Sequence, residues 1–311
     1  MRRPRLLFAA VAVLALGAGP AVPRSFTRMF VGQCFARKIF IVAPPFSSRR
    51  APAGAISQPC TNAIAFDASS GMMAAASGAV FGKLSINLYR LPYSSASVPV
   101  VSFKPAGLLH PRQLAWNEGD LWVSDDLANR VYEFRAPFSA ASGPAAANTS
   151  AAQPIGLAID PVRRLMFIGD EGGSRTCAAA PCRVFVVRAP YTGPAVATIT
   201  LGNSVPAALA VDRRGRLFVG IENGGLKGRI EVYAPPFVIG QKPTFTLNAG
   251  DGVMALAFDP AQNLYAQLFS TGGVVRFNGP IARSMSAPSM SLGCPGARCR
   301  NKNWAGLSFG P

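Results

Sequence analysis

The sequence predicts an all-β ring, a six-bladed β-propeller of four-stranded antiparallel blades whose N- and C-terminal strands share one blade. Three observations predict it. A short apolar motif recurs six times, a second motif alternates with it, and each end of the chain is a fragment of the same repeat. A period of roughly 40 to 50 residues is the size expected of a propeller blade.

The first motif is an apolar stretch ending in an acid or its equivalent: Ala63 to Asp67, Gln113 to Asn117, Gly156 to Asp160, Ala208 to Asp212, Ala255 to Asp259 and Gly306 to Gly310. Its fixed small residue falls at Ala65, Ala115, Ala158, Ala210, Ala257 and Ser308, with gaps of 50, 43, 52, 47 and 51. Side chains alternate along a strand, so Leu157 and Ile159 face one way and Ala158 the other. Both faces are then apolar or small, as blades stacked around an axis require. The terminal Asp or Asn beside Pro, Gly or Ser reads as a tight turn in which its side chain accepts backbone N–H groups. Asp67, Asp160, Asp212 and Asp259 are therefore assigned a structural role.

The second motif is a β-rich run capped by proline and, in five of its copies, an aromatic: Phe40 to Phe46, Ile86 to Tyr93, Val131 to Phe138, Val184 to Tyr191, Ile230 to Phe237 and a degenerate Val274 to Ile281. Proline cannot donate to a ladder and ends the strand, and the ring after it can cover the adjoining core. A strand between the motifs (Leu121 to Val123, Leu165 to Ile168, Leu217 to Val219, Leu264 to Ala266) and another after the proline (Val98 to Phe103, Ala195 to Leu201, Pro243 to Leu247) complete four per blade. The ends then set the count. Arg28 to Gly32 (RMFVG) matches Arg216 to Gly220 (RLFVG), a second strand, and Trp304 to Phe309 supplies a first strand. Joining them removes the open edges of a linear stack.

Arg2, Arg3 and Arg5 precede an apolar run from Leu6 to about Leu16 and small or turn-forming residues to Ala21, the pattern of a signal peptide over residues 1–21. Residues 22–311 then form one propeller domain, secreted or periplasmic, with no transmembrane segment. Export makes disulfides the expected state of the six cysteines. Cys34 falls in a loop after a second strand and Cys60 in a loop entering the next blade, which emerge on the same side, so the two are expected to pair. Cys177 with Cys182 and Cys294 with Cys299 are the simplest local pairs, other connectivities remaining open. Without the leader arginines the formal charge falls from +17 to +14. Such a charge attracts anionic polysaccharide, lipid headgroups or nucleic acid. It serves solubility equally well, because Arg and Lys are spread along the chain and no specific nucleic-acid partner is implied.

Gln113 to Phe134, QLAWNEGDLWVSDDLANRVYEF, resembles an NHL-type repeat, with Leu121, Val123, Asp125, Asn129, Arg130, Val131 and Phe134 at the pattern positions. Families with such repeats are mainly recognition scaffolds, so the resemblance implies a binding module. A related six-bladed group, the regucalcin and gluconolactonase-like hydrolases, binds a divalent cation in the central channel through acidic and amide side chains. Its early glutamate is missing here, and Asp67 is the first acid in the chain.

No catalytic set stands out. His110 is the only histidine and reads as a solvated loop residue before Pro111; no G-x-S-x-G elbow or phosphate-cradling loop is present. The candidate ligand-binding face is a set of acids at one repeated position after the second strand: Asp125, Asp126, Asp170, Glu171 and Glu222. Hard divalent cations prefer several oxygen ligands, so these acids suit a cation or a basic ligand. Their alternative is pairing with Arg130, Arg175 and Arg229. Trp122 and Trp304 are expected in the core more than on a sugar-stacking face. The expected function is an exported, monomeric, non-enzymatic module for an envelope polymer, a small molecule or an exported protein. No cofactor is firmly implied, a divalent cation being the candidate; the alternative is a metal-dependent lactonase.

Overall fold

All six apolar motifs form innermost strands. The computed structural model describes residues 27–34, 36–47, 51–78, 84–174, 177–222, 228–283, 287–293 and 306–311. Within them, twenty-four strands form six four-stranded antiparallel sheets. Blade 1 joins β24 (Leu307–Gly310) to β1 (Arg28–Gln33), β2 (Lys38–Val42) and β3 (Gly54–Ser57). Blade 2 is β4 (Thr61–Phe66), β5 (Met73–Ser77), β6 (Ser85–Tyr89) and β7 (Val101–Phe103). Blade 3 is β8 (Pro111–Asn117), β9 (Asp120–Asp125), β10 (Arg130–Phe134) and β11 (Ala146–Asn148). Blade 4 is β12 (Pro154–Asp160), β13 (Leu165–Asp170), β14 (Cys182–Arg188) and β15 (Ala195–Gly202). Blade 5 is β16 (Val205–Val211), β17 (Leu217–Glu222), β18 (Arg229–Tyr233) and β19 (Phe245–Asn248). Blade 6 is β20 (Val253–Phe258), β21 (Leu264–Leu268), β22 (Val274–Phe277) and β23 (Met290–Leu292). Each inner strand touches the next, and β24 touches both β20 and β4, which closes the ring.

The closure is the one predicted. β24 pairs with β1 from Arg28↔Gly310 to Val31↔Leu307, and the Gly32 amide donates to the Gly306 carbonyl at 2.7 Å. Gly306 is required there: a Cβ on it would lie 2.5 Å from the Ile64 backbone nitrogen of the next blade. Residues 1–21, read above as a signal peptide, and Trp304, Cys294 and Cys299 lie outside the described residues.

The fixed small residue has a packing cause. Ser308, Ala115, Ala158, Ala210 and Ala257 sit directly across the ladder from Phe30, Trp122, Phe167, Phe218 and Tyr265. Each inner strand thus stays thin where its neighbour is bulky, and these five rings are essentially buried. Blade 2 departs from this, with Ala65 opposite Ala74. The aromatic after each proline reaches back to the preceding blade: Phe46 to Tyr265 (5.7 Å between ring centroids), Tyr93 to Phe30 (5.4 Å), Tyr191 to Trp122 (5.5 Å) and Phe237 to Phe167 (4.8 Å). Phe138 finds no second-strand ring in blade 2 and stacks on Phe103 of its outer strand instead, at 6.2 Å. Aromatic contacts of this kind add to the apolar burial that holds neighbouring blades together. All six prolines at this position follow cis peptide bonds.

Antiparallel alternation gives the ring two faces. The crossover face carries the connections from second to third strands and from blade to blade. The turn face carries the connections from first to second and from third to fourth strands.

Candidate functional site

All five candidate acids lie on the crossover face, on the successive blades 3, 4 and 5. They do not converge. Among the described residues no three acidic, histidine or cysteine side chains are placed to share a metal ion. Asp125, Asp126, Asp170 and Glu171 are buried, and Glu222 is half-buried at the end of β17.

Their hydrogen bonds explain the burial. Asp125 Oδ2 accepts the Leu109 and His110 amides at 2.6 and 2.9 Å, and its Oδ1 accepts the Ala128 amide at 2.9 Å. One carboxylate therefore ties the loop entering blade 3 to the loop between that blade's second and third strands. Asp170 accepts the Gln153 amide at 2.7 Å, and the Glu171 amide donates to the Gln153 carbonyl at 3.1 Å, which repeats the tie on blade 4. A buried N–H without an acceptor costs on the order of 1–3 kcal/mol, so a carboxylate that satisfies several of them is strongly held.

Two further ties escaped the sequence reading. Asp251 sits in the loop entering blade 6 and accepts the Ser270 amide and hydroxyl (both 2.9 Å) and the Thr271 amide (3.3 Å). On blade 2 the uncharged Gln58 donates to Ser77 Oγ at 2.8 Å and accepts from Asn87 at 3.0 Å. Both residues precede an inner strand, whereas the predicted acids follow a second strand. The signal was a polar residue just before each apolar motif.

His110 corrects an expectation: it is buried, not solvated. Its Nδ1 lies 2.7 Å from Asp126 Oδ1, and Arg112 reaches the other Asp126 oxygen at 3.3 Å. The expected arginine pairing also differs, because Asp126 takes Arg112, and Arg229 pairs with Glu231 at 2.7 Å. Arg175 lies outside the described residues. Trp122 is core, packed on Tyr191.

Both expected disulfides that fall among the described residues are formed, Cys34 with Cys60 and Cys177 with Cys182, both on the crossover face. Near the axis Gln113 bridges three inner strands, accepting the Leu157 amide of blade 4 at 2.6 Å and donating to the Leu209 carbonyl of blade 5 at 3.4 Å. A cavity between Asn62, Arg112, Met254 and Gly306 measures about 20 Å³, room for about one water molecule. A concavity of about 1170 Å³ forms a groove between blades 2 and 3, bordered by Pro59, Asn87, Phe103, Lys104 and Leu109.

On the turn face the motif acids cap their turns as predicted. Asp160 accepts the Val162 and Arg163 amides at 3.0 Å, Asp212 the Arg214 and Arg216 amides at 3.0 and 2.9 Å, and Asp259 the Asn263 amide at 2.9 Å. Burial pushes the Asp67 carboxyl up, but hydrogen bonds from Ser70 and Ser69 outweigh it and hold the group below its ordinary 3.8.

No protein-family model matches the chain, and no curated protein matches it. Solved structures do, at the level of fold. A chain of a nidogen/laminin complex is similar over 91% of this chain and 98% of its own, with a TM-score of 0.67 and 16% identity. A putative 6-phosphogluconolactonase from Bacteroides uniformis is similar over 86% and 82%, with a TM-score of 0.61 and 13% identity. A functionally unknown protein from Desulfotomaculum acetoxidans is similar over 91% and 85%, with a TM-score of 0.58 and 12% identity. Fold at such identities leaves function to the site.

Proposed function

We propose that this propeller is an exported, non-enzymatic interaction module that holds an exported protein partner on its crossover face. The observation that carries this reading is the presentation of Leu109 and Leu127. These side chains are 49% and 48% exposed. The Leu109 amide and the Ala128 amide, beside Leu127, are both held by the buried Asp125 carboxylate. Apolar anchors on loops fixed before binding lose little entropy when a partner covers them. The two disulfides stiffen the same face, and the nidogen/laminin neighbour is a propeller taken from a protein complex. The NHL-like repeat in blade 3 points the same way, since scaffolds with such repeats are chiefly recognition modules.

The test is a photoreactive residue placed at Leu109 in the producing cell. A discrete crosslinked product at Leu109, lost on Leu127→Glu and missing from the same probe at Val98 on the turn face, is expected. A free chain at every position contradicts the reading.

The metal-dependent lactonase is the second reading, favoured by the likeness to the putative 6-phosphogluconolactonase. The Gln113 bridge between the inner strands of blades 3, 4 and 5 opposes it, because a site in the channel needs room for a substrate. Lactone hydrolysis by the purified protein with added divalent cations, abolished by Asp125→Ala or Glu222→Ala, would replace the module by the enzyme.

A further inference from the structure

The turn face of blades 4 and 5 combines two features. The first is an arc of arginine. Asp160 and Asp212 are buried in their turns and paired with Arg163 and Arg216 at 3.0 and 2.7 Å. Arg164, Arg213 and Arg214 remain exposed beside them. Hydrogen bonds join these turns into one band: Arg163 Nη2 donates to the Arg214 carbonyl at 2.7 Å, the Arg213 amide to Gln262 Oε1 at 2.9 Å, and Arg216 Nη1 to the Ile281 carbonyl at 3.0 Å. Gly215 makes room for the first of these bonds, since a Cβ there would overlap the Arg163 guanidinium. The exposed Glu118 of blade 3 lies on the Arg164 side, so the positive excess centres on blade 5.

The second feature is protruding aliphatic side chain. Val162 is 85% exposed in the blade 4 turn and Ile239 81% exposed in the blade 5 turn, with Val238 beside it. The blade 5 turn is anchored over blade 4 by Phe237 on Phe167 and by the Gly240 amide donating to the Thr198 carbonyl at 3.3 Å. The aliphatic tips and the arginines therefore belong to one surface.

We propose that this turn face docks on an anionic lipid bilayer, with Arg213 and Arg214 among the phosphate headgroups and Val162, Val238 and Ile239 entering the apolar boundary. Arginine suits phosphate through its planar fork of donors. Basic side chains and shallow apolar insertion together give reversible binding to an anionic membrane surface. A polysaccharide or a nucleic acid would use the arginines alone and leave the valine and isoleucine tips in water. Such docking leaves the crossover face pointing away from the membrane, free for a partner, and it stands or falls independently of that partner.

The experiment is co-sedimentation of residues 22–311, which contain all twenty-four strands, with phosphatidylcholine vesicles and with vesicles that also contain phosphatidylglycerol. Binding to the mixed vesicles and not to phosphatidylcholine alone is expected. Arg213→Gln and Arg214→Gln should each weaken it by about fivefold. Val162→Ser with Ile239→Ser should weaken it by about tenfold. Unchanged melting transitions show that each variant folds. No binding to the mixed vesicles overturns the proposal, as does equal binding to both kinds. Binding that the aliphatic pair leaves unchanged, with dextran sulfate competing fully, also overturns it, in favour of a general polyanion site. In none of these cases does the Leu109 crosslink change.

Discussion

The two faces of the ring spend their carboxylates in opposite ways. On the crossover face Asp125, Asp170 and Asp251 reach across from one loop to another and bond backbone amides that are far apart in sequence. On the turn face Asp67, Asp160, Asp212 and Asp259 bond amides two to four residues further along their own turns. The first arrangement makes neighbouring loops one rigid unit, and both disulfides reinforce it. The second shapes each turn by itself and buries the acid, so the cations around it set the surface charge. Both faces bury most of their acids, so what sets the charge of the turn face on blades 4 and 5 is the exposed arginines that follow Asp160 and Asp212 in sequence.

Opening the ring should abolish both faces together and gives the largest expected effect. Deleting residues from 304 onward removes β24, strips β1 of its inner partner and exposes the inner edges of blades 2 and 6. Loss of the cooperative thermal transition is expected; a melting curve like that of the full chain would show that the faces do not depend on closure.

Disulfide removal separates the faces. The Cys34–Cys60 bridge closes 26 residues and the Cys177–Cys182 bridge closes five. Loop-closure entropy then assigns about 3.5 kcal/mol to the first and about 2 kcal/mol to the second. Denaturant melts of the two paired Cys→Ala variants measure this, and equal losses would mean that chain entropy is not what the bridges supply.

The turn face yields the smallest effect, through pH. Asp67 is held below 3.8 in the folded chain, so its contribution to stability is fully present above about pH 3.8 and is lost as pH falls through the lower folded value. Ser70→Ala, which removes one of the hydrogen bonds that lower this carboxyl, should therefore shrink the acid-dependent loss. Stability that falls equally in both proteins across that window would assign the acid sensitivity to other groups.

Much of the ring was legible because its constraints are periodic. The small residue opposite a bulky ring repeats in five of six blades, and blade 2, where Ala74 replaces the ring, was still recognised from Ala65 and Asp67. Cys34 and Cys60 were legible because loop class alone places them on one face. The crossover ties were less so. Asp251 and Gln58 do the work of Asp125 and Asp170 from the opposite end of the contact, and no single position in the repeat contains all four. His110 was misread as solvated because its partner Asp126 is sixteen residues away and comes near only when two loops pack. The arginine arc was legible only in part: the repeat puts the turns after Asp160 and Asp212 on one face, but nothing in the sequence signals the bond from Arg163 to the Arg214 carbonyl of the next blade.

The central claim is that the crossover face is rigid before any partner arrives, and amide hydrogen exchange tests it most directly. The Leu109 and His110 amides, held by Asp125, should be protected nearly as well as the Val123 amide within β9. In Asp125→Ala they should exchange freely while Val123 stays protected. Rapid exchange at Leu109 and His110 in the unmodified protein would contradict the account.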